Sequence, residues 1–397
     1  MSSENSISAF VLGNGLNGLG VVRSLGRYGI PVYVFGGGKE RFAFKSRYAA
    51  PVILEEPDNA DAIIESLLEV SGRLDHKPVL FYTTDFFLKL ISKYYDLLSK
   101  HFLIQISSPE AIETVVNKKK FKDFVVKYGF PAPKTYIPDT LSQVTEISEK
   151  LEYPVLLKPS ESFQWKKLDF KVVHINNKQT LIEQWKALKG TCDDLLIQQL
   201  ITGADDRNYA YYAYRNQEKG EVLNICVNKP RLNPIHGGVG AFSQVVSDKE
   251  IEDIGFRLLD KLQYIGVASV CLKRDEKTEE PLIYEVNGRF PLGHVAIQMC
   301  GYDLPYIMYR DIIQSPVPIP QKVKKYGKWC SLGLDINAFR GYRKQREMSF
   351  WKWIKSYLGV RTCAEFAWDD LRPFFFCLKL LVLRFFGKVK KILSGAQ

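Results

Sequence analysis

The stretch that decides the fold is PLIYEVNGRF, residues 281–290. It reads as a strand, because Leu282, Ile283, Tyr284 and Val286 are apolar or aromatic and Gly288 ends the run. Side chains alternate faces along a strand, so Glu285, Asn287 and Arg289 point the same way. An acid, an amide and a cation on one face make a poor core, since buried polar groups need partners. The trio raises the question of what charged species that face is built to meet.

Working outward, GVASVCLKRD (266–275) is the other arm of a hairpin closed by DEKTEE. RNYAYYAYRN (207–216) and EVLNICVNKPRL (221–232) form another hairpin around Gly220, and 246–264 reads as an amphipathic helix between the two. Further upstream, YPVLLKPS, KVVHI and DLLIQQLI read as strands and 178–189 as a helix. Residues 108–128 read as one helix, with Ser108 as N-cap, Pro109 at its first position, and Gly129 and Pro131 stopping it.

The N-terminal part alternates strand and helix: ISAFVLGNGLNGLGVVRSLGRYGIPVYVF, then AAPVIL, a helix over 59–72, PVLFYTT and a helix over 86–100. This predicts a small parallel α/β domain through about residue 107. Its turn, residues 13–18, is GxGxxG after a strand and before a helix, the context of a dinucleotide fingerprint. The acid expected at the end of the next strand is missing, for Phe35 is followed by three glycines. The other reading is a tight turn that packs a helix close to a sheet. Asp85, at a strand end, either caps the helix over 86–100 or faces a ligand.

Composition narrows the classes. The chain has 397 residues and 46% hydrophobic content, enough for two or three domains with a real core. Seven scattered cysteines without a CxxC pair, and five histidines without HxxxH or HExxH, argue against zinc and fit a reducing, cytoplasmic setting. The N-terminus shows no basic leader region, so no signal peptide is expected. Residues 320–397 carry 17 Lys/Arg against 5 Asp/Glu, while the rest of the chain carries 38 against 39. The C-terminal fifth, set off by the proline-rich QSPVPIPQ, is therefore strongly basic, and it holds four of the six tryptophans. Its segment DLRPFFFCLKLLVLRFFGKVKKIL combines an apolar face with Lys379, Arg384, Lys388 and Lys391. That pattern reads as an interfacial helix on an anionic membrane surface, peripheral at the inner face, or as a terminal helix docked through its phenylalanines. No nucleic-acid module is present.

Lys118, Lys158 and Arg231 precede Glu285, Asn287 and Arg289 in the chain. Separated cations with a carboxylate and an amide are what a magnesium–triphosphate site needs. In this order the motifs resemble the ATP-grasp enzymes, and among them the carboxylate–amine ligases of the D-aspartate ligase type. The likeness covers about residues 7–310. NKKKFKDFVVKYGFPAPKT resembles the opening ATP-binding helix, with Lys118 as its lysine. YPVLLKPS resembles the next strand, with Lys158 facing the α- and β-phosphates. LLIQQLITGADDRNY is similar to the hinge, which implies Gln199 and the Ile201 backbone at adenine and Asp206 at ribose. CVNKPRLNPIHGGVGAF resembles the arginine segment, which implies Arg231 near the transferred phosphate, and YEVNGRF resembles the family's closing strand, which implies Glu285 and Asn287 at Mg²⁺ and Arg289 at the phosphoryl group or acyl-phosphate.

The resemblance implies an α/β architecture with an α+β ATP-grasp core: an N-terminal Rossmann-like pre-ATP-grasp domain (1–107), an ATP-grasp domain (108–319) and a basic, aromatic-rich C-terminal region (320–397). It implies ATP and Mg²⁺ as cofactors, small-molecule carboxylate and amine substrates, and ligation through an acyl-phosphate. Three features depart from the family pattern. Cys271 stands where a metal-binding acid is usual, and a thiol is a soft, poor Mg²⁺ ligand. Gln199 replaces the common hinge Glu. The loop SESFQWKKLDFK lacks the usual glycines, although Lys166, Lys167 and Lys171 could supply charge there. A catalytically weak ATP-binding homologue is the alternative that Cys271 motivates, and an NAD-dependent enzyme using residues 13–18 is a third. His236 and His294 are the histidines nearest the expected site.

Overall fold

A computed structural model describes residues 7–38, 41–160, 172–190, 195–318 and 327–393, with backbone alone for 384–393. Lys166, Lys167, Lys171 and Cys192 lie outside the described residues. The chain divides into two compact units: Met1–Gln105 with Lys229–Val246 and Phe290–Gln397, and Ile106–Asn228 with Ser247–Arg289.

In the first unit, four parallel strands lie in the order Ala49–Leu54, Val32–Gly37, Ala9–Leu12, Val79–Tyr82. The central strand Ala9–Leu12 is buried throughout, as a continuous apolar run in a parallel sheet should be. Helix Leu16–Arg27 buries Leu19, Val21, Val22 and Leu25. The glycine turn brings it there. A Cβ on Gly13 would sit 2.0 Å from Thr83 Oγ1, and one on Gly18 would sit 1.9 Å from the Gly13 carbonyl oxygen. Gly13 also has φ +113°, a conformation that favours glycine. Close packing of turn, helix and strand accounts for Gly13 and Gly18, whereas a Cβ on Gly15 would meet nothing within 4 Å.

The basic C-terminal region does not trail from the body as a tail. Strand Lys328–Cys330 pairs antiparallel with Val239–Val246 and parallel with Val360–Cys363. Arg23, buried on helix Leu16–Arg27, donates to Asp370 Oδ2 at 2.9 Å and to the carbonyls of Ala364, Glu365 and Asp370 at 2.8–2.9 Å. Asp370 also accepts from Ser46 Oγ at 2.7 Å and from the Arg47 N–H at 2.9 Å. A charge taken out of water needs such partners, and here they come from opposite ends of the chain.

In the second unit, one antiparallel sheet runs in the order Thr135–Tyr136, Leu195–Gln199, Val155–Pro159, Val173–Ile175. Helices Leu141–Lys150 and Lys178–Leu188 supply Val144, Leu181 and Trp185 to its core, where they meet Val155, Leu157 and Ile197. Each fully buried aliphatic there contributes about 1.5–3 kcal/mol. The other sheet of this unit places Pro281–Asn287, Gly266–Arg274, Asn208–Asn216 and the first part of Gly220–Asn233 side by side, all antiparallel. Helix Lys249–Lys261, capped by the Asp248 side chain, sets Gly255 against the Tyr211 ring.

Two expected helices are each broken in two. The segment after Ser108 forms Pro109–Val116 and Lys118–Lys127, because Asn117 is extended (φ −93°, ψ 112°) and caps the second helix. Asn117 Oδ1 accepts from the N–H groups of Lys119 and Lys120 at 3.0 and 3.2 Å. The segment over 86–100 forms Asp85–Lys93 and Tyr95–Leu98, interrupted at Tyr94.

Candidate active site

The strand Pro281–Asn287 does not alternate strictly. Cys271 pairs with Glu285 but Leu272 pairs with Ile283, so Tyr284 is one extra residue, a β-bulge. The bulge lets Ile283 and Val286 both be buried while Glu285 and Asn287 stay half-buried on the other side. Asn287 Nδ2 lies 3.5 Å from Glu285 Oε2 and 3.7 Å from Cys271 Sγ, and Asn287 Oδ1 accepts from Arg289 at 2.8 Å. The three polar residues thus form one connected row, with the buried Cys271 thiol beside it.

The two lysines converge on the same place. Lys158, at the end of Val155–Pro159, is only 8% exposed and donates to Gln198 Oε1 at 2.7 Å. Gln198 is held in turn by donating to Thr135 Oγ1 at 2.8 Å. Burial pushes the Lys158 ammonium down to about 8, the positive charge of Lys118 pushes it the same way, and Glu285 opposes them. Lys118 opens helix Lys118–Lys127 and donates from Nζ to the Ser160 carbonyl at 3.3 Å, while its own N–H gives to the same oxygen at 3.1 Å. An ammonium group whose charge is disfavoured by burial and by a neighbouring cation gains by receiving an anion.

Of the hinge residues, Gln199 is half-buried with its N–H given to the Lys134 carbonyl at 2.9 Å, and Ile201 is buried. Thr202 follows, pinned through its N–H and hydroxyl to Asp275 Oδ2 at 2.9 and 3.0 Å, and Lys273 Nζ donates to the Gly203 carbonyl at 2.6 Å. Asp206 is exposed in the short turn Asp205–Arg207, and its carbonyl accepts from Asn228. Sequence reasoning passed over Gln198. The available signal was strand alternation: in LLIQQ one glutamine shares a face with the lysine of the neighbouring strand and the other does not.

Arg231 belongs to the first unit and is committed there. It is 3% exposed and forms a two-pronged ion pair with Asp335 at 2.6 and 2.9 Å. Its Nη1 donates to Ser356 Oγ at 2.9 Å, and its guanidinium lies over the Phe242 ring, 4.0 Å from the centroid. Asp335 further accepts from Trp353 Nε1 and Tyr357 OH. The resemblance implied a cation turned toward a transferred phosphate; the described contacts make Arg231 the centre of a buried network.

The histidines are structural in the same sense. His294 is buried, bonds through Nδ1 to the Pro291 carbonyl at 2.7 Å, and is pushed by burial down to about 4, so it is neutral at physiological pH. His236 bonds Gln345 and Glu347 at 3.0 Å. Asp85 is the first residue of its helix, and Thr84 is the cap.

The donor set bears on metal binding. Glu285 and Asn287 offer a carboxylate and an amide oxygen, which suits Mg²⁺ shared with phosphate oxygens. Cys271 adds no hard ligand. Among the described residues no group of three or more His, Cys, Asp or Glu could hold a metal alone.

No family model matches the chain. By sequence it is 23% identical over 318 residues to D-aspartate ligase of Enterococcus faecium (strain Aus0004), across 76% of this chain and 75% of that protein. By structure it is similar to biotin carboxylase of Campylobacter jejuni in a β,γ-ATP complex, with TM-score 0.65 and 15% identity over 83% of this chain and 76% of that one. It is likewise similar to carboxyaminoimidazole ribonucleotide synthase of Aspergillus clavatus complexed with ATP, with TM-score 0.61 and 19% identity over 82% and 81%. The fold and the sequence likeness converge: the chain has the fold of these enzymes and resembles ATP-grasp ligases of the D-aspartate ligase type.

Proposed function

We propose that the protein is an ATP-dependent ligase that joins a carboxylate to an amine through an acyl-phosphate. One observation carries the reading: Lys118 and Lys158 sit together, with Lys158 held buried by Gln198, beside the Glu285–Asn287–Arg289 row. ATP transfers its γ-phosphoryl group to the substrate carboxylate, leaving ADP. The amine then attacks the acyl carbon, expels phosphate and loses a proton. Lys118 and Lys158 neutralise the triphosphate, Arg289 balances charge as the phosphoryl group moves, and Gln199, Ile201 and Asp206 hold the nucleoside. Glu285 and Asn287 would hold Mg²⁺, which supplies further neutralisation of phosphate charge. We place the reaction on the cytoplasmic side, where ATP is.

The test is ADP and phosphate release with Mg-ATP across a panel of amino acids and sugar acids paired with amines, with hydroxylamine present to trap the acyl-phosphate as a hydroxamate. Substrate-dependent turnover that falls about 100-fold or more in Lys158→Met and Arg289→Met is the expected result. ATP binding with no acceptor pair raising ADP above background overturns the ligase reading.

Cys271 favours a second reading, a nucleotide-binding protein with weak catalysis. The thiol stands opposite Glu285 and against the Asn287 amide, where a carboxylate would add a second hard ligand. Cys271→Glu is expected to raise Mg²⁺ affinity, read from the Mg²⁺ dependence of ATP binding. A rise in turnover along with affinity supports this second reading, whereas wild-type turnover already at the level of the variant removes it.

A further inference from the structure

The C-terminal helix, Arg372–Leu393, is 22 residues, about 33 Å long. Its first turns dock: Phe376 and Cys377 are buried, with the Phe376 ring 5.2 Å from that of Phe42 and Lys45 5.5 Å above it. From Leu378 to the last described side chain, Leu383, nothing is buried. Phe375 is 61% exposed, Val382 51% and Leu383 55%, and Leu378 is exposed with them. At steps of three and four residues Phe375, Leu378 and Val382 lie along one side of the helix, with Leu383 flanking it. The neighbouring Trp368 is 84% exposed. The sequence continues the same spacing with Phe385, Phe386, Val389 and Leu393.

The charge pattern selects the occupant. The helix segment contains six cations, Arg372, Lys379, Arg384, Lys388, Lys390 and Lys391, and no acid. A protein partner, or a second copy of this helix, would have to supply many acids or bring like charges together. A bilayer of anionic lipid offers negative headgroups above an apolar layer, which matches both features of the helix at once. No helix among the described residues is long and apolar enough to cross a membrane, so the helix would lie in the interface. We propose that Arg372–Leu393 is a surface anchor that places the protein on anionic bilayers, with Phe375, Leu378, Val382 and Leu383 entering the headgroup boundary. This does not depend on the ligase reading.

The experiment is co-sedimentation of the full chain with vesicles of phosphatidylglycerol and phosphatidylcholine, compared with phosphatidylcholine alone, over a range of salt. Binding only to the anionic vesicles, weakened by salt, is expected, with a loss of about tenfold or more in Val382→Glu/Leu383→Glu. Circular dichroism and ATP affinity show that the variant remains folded. Three results would overturn the proposal: no sedimentation with anionic vesicles, equal binding to neutral ones, or unchanged binding by the variant. A lipid-independent dimer lost in the same variant would reassign the face to self-association and overturn it as well.

Discussion

Lys158 shows how burial changes the protonation of a single residue. Its folded pKa, about 8, lies below the ordinary lysine value of 10.5, because burial and Lys118 both disfavour its charge. Between these two values the unfolded chain holds a proton that the folded chain has lost. The stability contribution of Lys158 therefore rises with pH across that window, and its cost is fully present below pH 8. Urea unfolding from pH 7 to 10 is expected to show wild type gaining on Lys158→Met. Bound phosphates would restore the proton, so ATP binding near pH 8.5 should take up a proton in wild type and not in the variant. Calorimetry in buffers of different ionisation enthalpy reads this directly, and equal proton uptake in both proteins would separate Lys158 from the phosphates. Arg231 presents the opposite case. Arg231→Met leaves Asp335 buried without its cation, a loss of about 3–5 kcal/mol in unfolding free energy. Arg231→Met/Asp335→Leu should recover much of that loss. A variant of normal stability that lost only turnover would return Arg231 to the phosphate.

At the scale of elements, local chemistry decided existence and long-range packing decided boundaries. The hairpins around Gly220 and around residues 275–280 were legible because apolar alternation and turn residues are local signals. The bulge at Tyr284 was not legible, since only the pairing with Val270 and Leu272 brings Val286 and Ile283, three residues apart, to the same buried face. Asn117 was visible in sequence but read as mid-helix. An asparagine side chain competes for backbone N–H groups, and here it starts a new helix that presents Lys118. The glycine turn was readable in both ways. Only the structure gives the distances from Gly13 to Thr83 and from Gly18 to Gly13 that tie these two glycines to packing. Gly18→Ala places a methyl against a backbone oxygen that cannot step aside, so a loss of about 1–3 kcal/mol or more is expected in thermal or urea unfolding. An unchanged midpoint would show that the turn has slack that these distances do not allow.

For the whole molecule, the C-terminal region is a structural part of the first unit. Ending the chain at residue 326 removes every described partner of the Arg23 guanidinium and the strand that pairs with Val239–Val246. Such a chain is expected to lose the cooperative unfolding transition of the first unit, read by urea titration with intrinsic fluorescence. A truncated protein that unfolds with wild-type cooperativity would show that the C-terminal strands and the Arg23–Asp370 pair are dispensable. Sequence alone determined what local pattern and side-chain chemistry dictate: the α/β alternation, the hairpins, and an acid, amide and cation row preceded along the chain by Lys118 and Lys158. Only the tertiary structure decided that Gln198 holds Lys158, that Lys118 shares its neighbourhood, that Arg231 is spent on Asp335, and that the basic end of the chain returns to Arg23. The physical reason is that desolvation and ion pairing depend on which groups meet in space, and those partners lie 40 to 347 residues apart along the chain.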